Sequence, residues 1–331
     1  MDRDVPRRIV SAALAIALLL CGAYAQPLVK PWQAKWDEGS PNCAAHHRPP
    51  LEVHEFNPRT FVLRENLCAT WEANFIYLLI GSRRALLIDT GDVADSKKMP
   101  LARSVMWLLS RYGAAGLPLL VVHTHRHLDH RAGDPQFEHL RNVQVVGYDL
   151  VSVKQYYGFA DWPEGHAHID LGNRIIDVLP APGHEATHIV LYDRNTTLLF
   201  SGDFMMPGRL LLDDPAADLA SAIRVADFVR NKPVAAVLGG HIEEDTADGL
   251  FPWESTYHPK ERRLEMSKAD LLALPSALSS FNGFYERIGN FTIIAPIRNL
   301  MALAGLAVVV LGGLIAGVII YLRNRRRRSS I

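Results

Sequence analysis

Apolar residues fall into short runs between residues 59 and 240, separated by breaks containing Gly, Pro and Asp. The runs at 59–64, 74–80, 84–89, 143–147, 174–179, 188–193 and 196–200 read as strands. Gly81-Ser82-Arg83 joins 74–80 to 84–89, a hairpin signal. The runs 117–122 (L-P-L-L-V-V) and 233–238 are continuously apolar, as strands covered on both faces are. Leu101, Val105, Leu108 and Leu109 recur at helical spacing within 96–112, and 214–230 reads as a second helix. Hairpins come first and strand–helix alternation follows. That order predicts an α/β protein with two sheets covered by helices rather than one doubly wound sheet.

Two further apolar stretches lie at the ends. Ile9 to Leu20 follows Arg3, Arg7 and Arg8 and precedes Ala23-Tyr24-Ala25. This is the pattern of a secretory signal peptide over 1–25, too short for a spanning helix. Leu300 to Leu322 carries no charge over 23 residues and stops at R-N-R-R-R-R. It is long enough to cross a bilayer, and the basic tail 323–331 marks the cytoplasmic side. Residues 26–50, rich in Pro, Gly and His, read as a linker, and 51–290 as the catalytic domain. The expected location is therefore the periplasmic or extracellular side of an inner or plasma membrane, held by one C-terminal helix.

The formal charge of zero conceals an uneven distribution. Once the two ends are set aside, the body holds 27 basic and 33 acidic residues, a net of −6. Such a body is not a general nucleic-acid binder. After signal cleavage two cysteines remain, Cys43 and Cys68, compatible with one disulfide in an oxidising compartment and equally with two free thiols.

The candidate chemistry begins where the run 117–122 ends, in V-H-T-H-R-H-L-D-H. His125 and His127 are two apart and leave an extended segment on the same side, so both imidazoles can meet one cation. Asp129 and His130 follow at the turn and can face a neighbouring cation. Single donors recur downstream at the ends of apolar runs: His184 in L-P-A-P-G-H, Asp203 in L-L-F-S-G-D and His241 in A-V-L-G-G-H. Glycine permits the tight turn that returns each side chain over the sheet edge. Imidazole nitrogen and carboxylate oxygen are suitable zinc ligands. Among the other histidines, His123 reads as a core residue. His166 and His168 adjoin Tyr156, Tyr157, Phe159 and Trp162, either as a pocket wall or as ordinary packing.

These residues, with Asp89 in L-I-D-T-G-D and the T-H-x-H-x-D-H stretch at 124–130, resemble the metallo-β-lactamase superfamily over roughly 60 to 250. The resemblance implies a four-layer αββα sandwich and a two-metal site, usually of zinc. It implies His125, His127 and His184 on the first ion, Asp129, His130 and His241 on the second, and Asp203 bridging both. Asp89 would stand behind the ligands. His188 in G-H-E-A-T-H matches a further histidine of the family, while Glu185 and Thr187 depart from the commoner Thr and Gly there.

The expected activity is that of a binuclear zinc hydrolase using an activated hydroxide shared by the two ions. Asp129 would relay a proton to the leaving group of an ester, lactone or thioester, a small-molecule substrate. Two alternatives stand beside it. A β-lactamase is favoured by export but disfavoured by Asp203, where that group carries Cys or Ser. A metal-binding module without turnover is disfavoured by the complete donor set.

Overall fold

The computed structural model describes Trp32 and residues 34–328. The expected signal peptide lies outside the described residues. Sheet one consists of β1 (Leu51–Asn57), β2 (Thr60–Glu65), β3 (Phe75–Ile80), β4 (Ala85–Ile88), β5 (Leu119–Val122) and β6 (Val143–Val145), adjacent in that order. Its first four strands are antiparallel, and β4, β5 and β6 are parallel. Between β4 and β5 runs α1 (Leu101–Arg111), whose Leu101, Val105, Leu108 and Leu109 pack against Phe61, Leu63, Ile76, Leu78 and Leu87.

Sheet two consists of β7 (Ala167–Asp170), β8 (Ile175–Pro180), β9 (Ile189–Asp193), β10 (Leu198–Gly202), β12 (Ala236–Gly239) and β13 (Glu265–Met266), in the spatial order β13-β12-β10-β9-β8-β7. Two helices, α3 (Pro215–Val229) and α4 (Lys268–Ser280), cover it through Ala222, Val225, Val229, Leu271 and Leu274. As the sequence predicts, α3 starts at Asp214, whose carboxylate accepts from the N–H groups of Ala216 and Ala217 with Pro215 in the first turn. The other faces of the two sheets meet. Tyr77 packs on Phe200 with ring centroids 4.7 Å apart, and its hydroxyl donates to the Gly239 carbonyl. Arg174 of sheet two donates to Arg59 O at 2.6 Å and Thr60 Oγ1 at 2.8 Å, while its charge is met by Asp193. Helix, sheet, sheet and helix form the expected α/β sandwich.

Several elements differ from the sequence reading. Residues 36–50 do not form a free linker. Trp36 is buried against Phe75 and His54, and Cys43 is disulfide-bonded to Cys68. Composition rich in proline and polar residues concealed both anchors. Strands β1 and β7, the short helix α2 (Leu150–Tyr157) and α4 carry no strong periodicity and were not foreseen.

A third sheet was also missed: β11 (Arg209–Leu211) pairs in parallel with β15 (Phe291–Ile294), which pairs with β14 (Tyr285–Ile288). The expected domain end at 290 falls in the turn of that hairpin, and the body runs on to Ala295. There α5 (Pro296–Arg328) begins. Its apolar part is exposed along its length and is long and apolar enough to cross a membrane.

Candidate metal centre

The sandwich brings every sequence-predicted donor to one edge. His125 and His127 lie just beyond β5, and Asp129 and His130 in the one-turn 3-10 helix that follows. His184 follows β8, Asp203 follows β10, and His241 lies two residues beyond β12. They form two groups, His125–His127–His184 and Asp129–His130–Asp203–His241, within each of which the potential ligand atoms lie no more than 4.8 Å apart. In the first, His127 Nδ1 is 2.9 Å from His125 Nε2 and 3.1 Å from His184 Nε2. In the second, His130 Nε2 is 3.1 Å from Asp129 Oδ2, and His241 Nε2 is 3.4 Å from the same oxygen.

Asp203 stands between the groups. Its Oδ2 lies 3.6 Å from His184 Nε2 and 3.4 Å from His130 Nε2, and its Oδ1 lies 3.6 Å from His241 Nε2. Close approach of the backbone makes this possible. A Cβ on Gly240 would come within 2.3 Å of Asp203 Oδ1 and 2.9 Å of His130 Cε1. Only glycine leaves both side chains in place there.

The donor set fits a pair of cations. His130 Nδ1 lies 2.9 Å from Asp89 Oδ2, His184 Nδ1 2.7 Å from Leu211 O, and His241 Nδ1 2.7 Å from Glu72 O. Each of those oxygens is an acceptor, so each Nδ1 carries a proton and each Nε2 is the nitrogen turned toward the cluster, able to bind a cation that displaces any proton it holds. Asp203 Oδ1 is buried without a hydrogen-bond donor, an arrangement that costs free energy unless a positive centre meets it.

Charge is tightly balanced. Burial and the neighbouring imidazoles push His125 well below the ordinary imidazole range. Burial would also depress His130 and His241, yet the carboxylates outweigh it. Asp129, Asp203 and Asp89 raise His130 well above its usual range, and Asp203 and Asp129 raise His241 to about 10. In return His130 and His241 hold Asp129 and Asp203 below the usual carboxylate range, against the burial that would raise them.

Asp89, fully buried, accepts from Thr124 N at 2.7 Å and Thr124 Oγ1 at 2.9 Å besides facing His130. It stands behind the cluster and does not line it. His188 is also fully buried and stacks on His125 at 5.0 Å, with neither ring nitrogen hydrogen-bonded. The departures at 185 and 187 belong together: Glu185 accepts from Thr187 N and Oγ1 and lies 2.6 Å from Arg126 Nε, tying the 184 loop to the segment between His125 and His127.

Sequence reasoning missed Asn74, whose Nδ2 lies 3.1 Å from Asp129 Oδ2 and 3.3 Å from His241 Nε2. A polar residue opening an otherwise apolar strand was the one available signal. It missed Glu72 as well, which burial raises to about 7. His123 is a buried partner of Asp134, as expected. The aromatic stretch after α2 packs on itself, Tyr157 on Phe159 and Phe159 on Trp162, while His166 pairs with Asp177.

Two stacked sheets with paired His/Asp groups at their edge define an α/β sandwich carrying a candidate binuclear metal site. The family model of the metallo-beta-lactamase superfamily matches residues 69–241, and the chain belongs to that superfamily. The chain is 27% identical over 233 residues to the chicken (Gallus gallus) acyl-coenzyme A thioesterase MBLAC2, covering 60% of this chain and 83% of that protein. It is 27% identical over 169 residues to the hydroxyacylglutathione hydrolase of Dechloromonas aromatica, covering 50% of this chain and 57% of that one. Among solved structures, a metallo-beta-lactamase from Pontibacter korlensis aligns with a TM-score of 0.48 at 17% identity, over 70% of this chain and all of that one.

Proposed function

We propose that the chain is a binuclear zinc hydrolase of acyl thioesters, exported and tethered by α5 with its catalytic body outside the cytoplasmic membrane. The position of Asp203 carries the reading: one carboxylate with an oxygen near His184 on one side and near His130 and His241 on the other suits a group shared by two ions. His125, His127 and His184 would hold one ion, Asp129, His130 and His241 the other. Bound zinc supplies Lewis acidity toward the carbonyl oxygen and lowers the pKa of water to about 7. The thioester preference, within the wider ester and lactone class, is supported by the two kinds of curated relative, an acyl-coenzyme A thioesterase and a hydroxyacylglutathione hydrolase.

The protein's own residues then have separable tasks. Asp129 would take up the proton released by the attacking water and pass it to the leaving thiolate. Asn74 Nδ2 orients that carboxylate from the sheet-one side. Asp89 fixes the ring of His130, and the Leu211 carbonyl that of His184. Beside His241 a narrow cleft is lined by Trp71, Phe251 and Trp253 together with Glu72, Arg209 and Glu243. The tether is supported by the exposed apolar length of α5, and export by the Cys43–Cys68 disulfide.

The test is a hydrolysis panel on the zinc-loaded full chain with an acyl thioester, a lactone, a phosphodiester and a β-lactam. Thioester cleavage fastest among the four is the expected result. Two bound zinc ions with no turnover on any of them would leave a metal-binding module instead.

A further inference from the structure

The joint between the body and α5 has no slack. Strand β15 ends at Ile294, α5 begins at Pro296, and the one residue between them, Ala295, is buried and donates its N–H to Phe284 O at 3.0 Å. The same carbonyl accepts from Asn299 Nδ2, also at 3.0 Å, from the first turn of the helix. Gly283, at φ +88°, lies directly under the Arg298 guanidinium, where a Cβ would come within 2.4 Å of Nη1. Three contacts thus lock the foot of the helix onto the β14–β15 hairpin, which is itself paired into the body through β11.

At this joint the surface changes character. Phe284 is 47% and Tyr285 55% exposed, and Phe284 lines a surface hollow with Ile297 and Met301 at the foot of the helix. The patch is continuous with the apolar length of α5, so whatever covers the helix reaches it. The 23 residues from Leu300 to Leu322 span about 34 Å as a helix, matching a hydrocarbon core of about 30 Å. The first turn, with Asn299 and Arg298, then falls in the headgroup layer. Aromatic rings and arginines are the side chains that favour that layer.

We propose that the body is seated on a phospholipid bilayer through this joint, with Phe284 and Tyr285 in the headgroup layer, and does not swing on a flexible tether. The proposal rests on reading α5 as a membrane span. Its consequence is positional. Leu212 N donates to Ile294 O at the foot of the helix, and the neighbouring Leu211 carbonyl holds His184. The metal centre is therefore fixed one strand away from the membrane joint, at a constant height above the lipid.

The test uses the full chain in phosphatidylcholine–phosphatidylglycerol vesicles, with Cys21→Ser so that only the disulfide-bonded Cys43 and Cys68 remain beside the introduced cysteine. A fluorophore is placed by Phe284→Cys, by Tyr285→Cys, by Trp107→Cys on exposed α1, or by Leu311→Cys in the middle of α5. Quenching is read with a headgroup nitroxide lipid, an acyl-chain nitroxide lipid and aqueous iodide. Probes at 284 and 285 are expected to lose most of their emission to the headgroup nitroxide and little to iodide, and the probe at 107 the reverse. Iodide quenching at 284 and 285 equal to that at 107, with 311 quenched by the acyl-chain nitroxide, overturns the seat while leaving the span intact. Failure of the acyl-chain nitroxide to quench 311 removes the span, and the seat with it.

Discussion

His184 Nδ1 lies 2.7 Å from the carbonyl oxygen of Leu211. A carbonyl can only accept, so the imidazole proton is fixed on Nδ1 and Nε2 is left as a ligand atom. The strand that does this, β11, belongs to neither large sheet and exists because β15 pairs with it from some eighty residues downstream. One donor of the metal centre is thus oriented by the C-terminal hairpin, which explains why the body must run past residue 290.

Asp89 does for His130 what the Leu211 carbonyl does for His184, with a side chain that can be removed. Asp89→Ala frees the His130 ring and is expected to weaken zinc binding about 10–100-fold. Competition with a chromophoric chelator measures it, and unchanged affinity would leave Asp89 with a purely structural role.

Asp203→Asn keeps size and shape but removes the charge between the two groups. Turnover is expected to fall below detection while the far-ultraviolet circular dichroism stays that of the wild type. Activity within a factor of about ten of wild type, a loss of only about 1.4 kcal/mol in barrier terms, would be incompatible with a bridging carboxylate.

Arg174 spans the two sheets from a buried position and is met by the equally buried Asp193. Arg174→Ala leaves that carboxylate without its partner and is expected to cost about 3–5 kcal/mol. Urea unfolding of the detergent-solubilised protein reads the loss. A change under about 1 kcal/mol, the range of exposed pairs, would mean that Arg174 does not hold the sheets together.

Asp218 on α3 is fully buried, and burial raises its carboxyl to about 8. The folded state keeps a proton that the unfolded chain releases near its ordinary value of 3.8. Its contribution is therefore complete below that value and is lost as the pH rises toward 8, by about 1.4 kcal/mol per unit. Asp218→Asn is expected to flatten this slope, so that the variant gains on wild type between about pH 5 and pH 8. Parallel stability curves over that interval would show that the carboxyl is not protonated in the fold.

The seven donors were legible because each sits where an apolar run stops, and a strand end is both a sequence signal and the edge of a sandwich. The two-sheet architecture was legible for the same reason, since Leu119 to Val122 and Ala236 to Gly239 are buried along their whole length. The third sheet was not, because Arg209 to Leu211 is three residues long and its partner is remote in sequence. Asn74 and Glu72 were hidden differently. Their importance comes from what lies across the cleft, His241 and Asp129, and no local spacing records a neighbour some 55 to 169 residues away. Trp36 lies in a stretch rich in proline and polar residues, with no period to mark it as packing.

The central claim is tested most directly by counting zinc ions per chain, by elemental analysis of the purified full-length protein and of two variants. Two ions in wild type, one in His184→Ala and one in His241→Ala are predicted, since each substitution dismantles one donor group. A single ion in wild type, or a count that neither substitution changes, would contradict a pair of cations held by these seven residues.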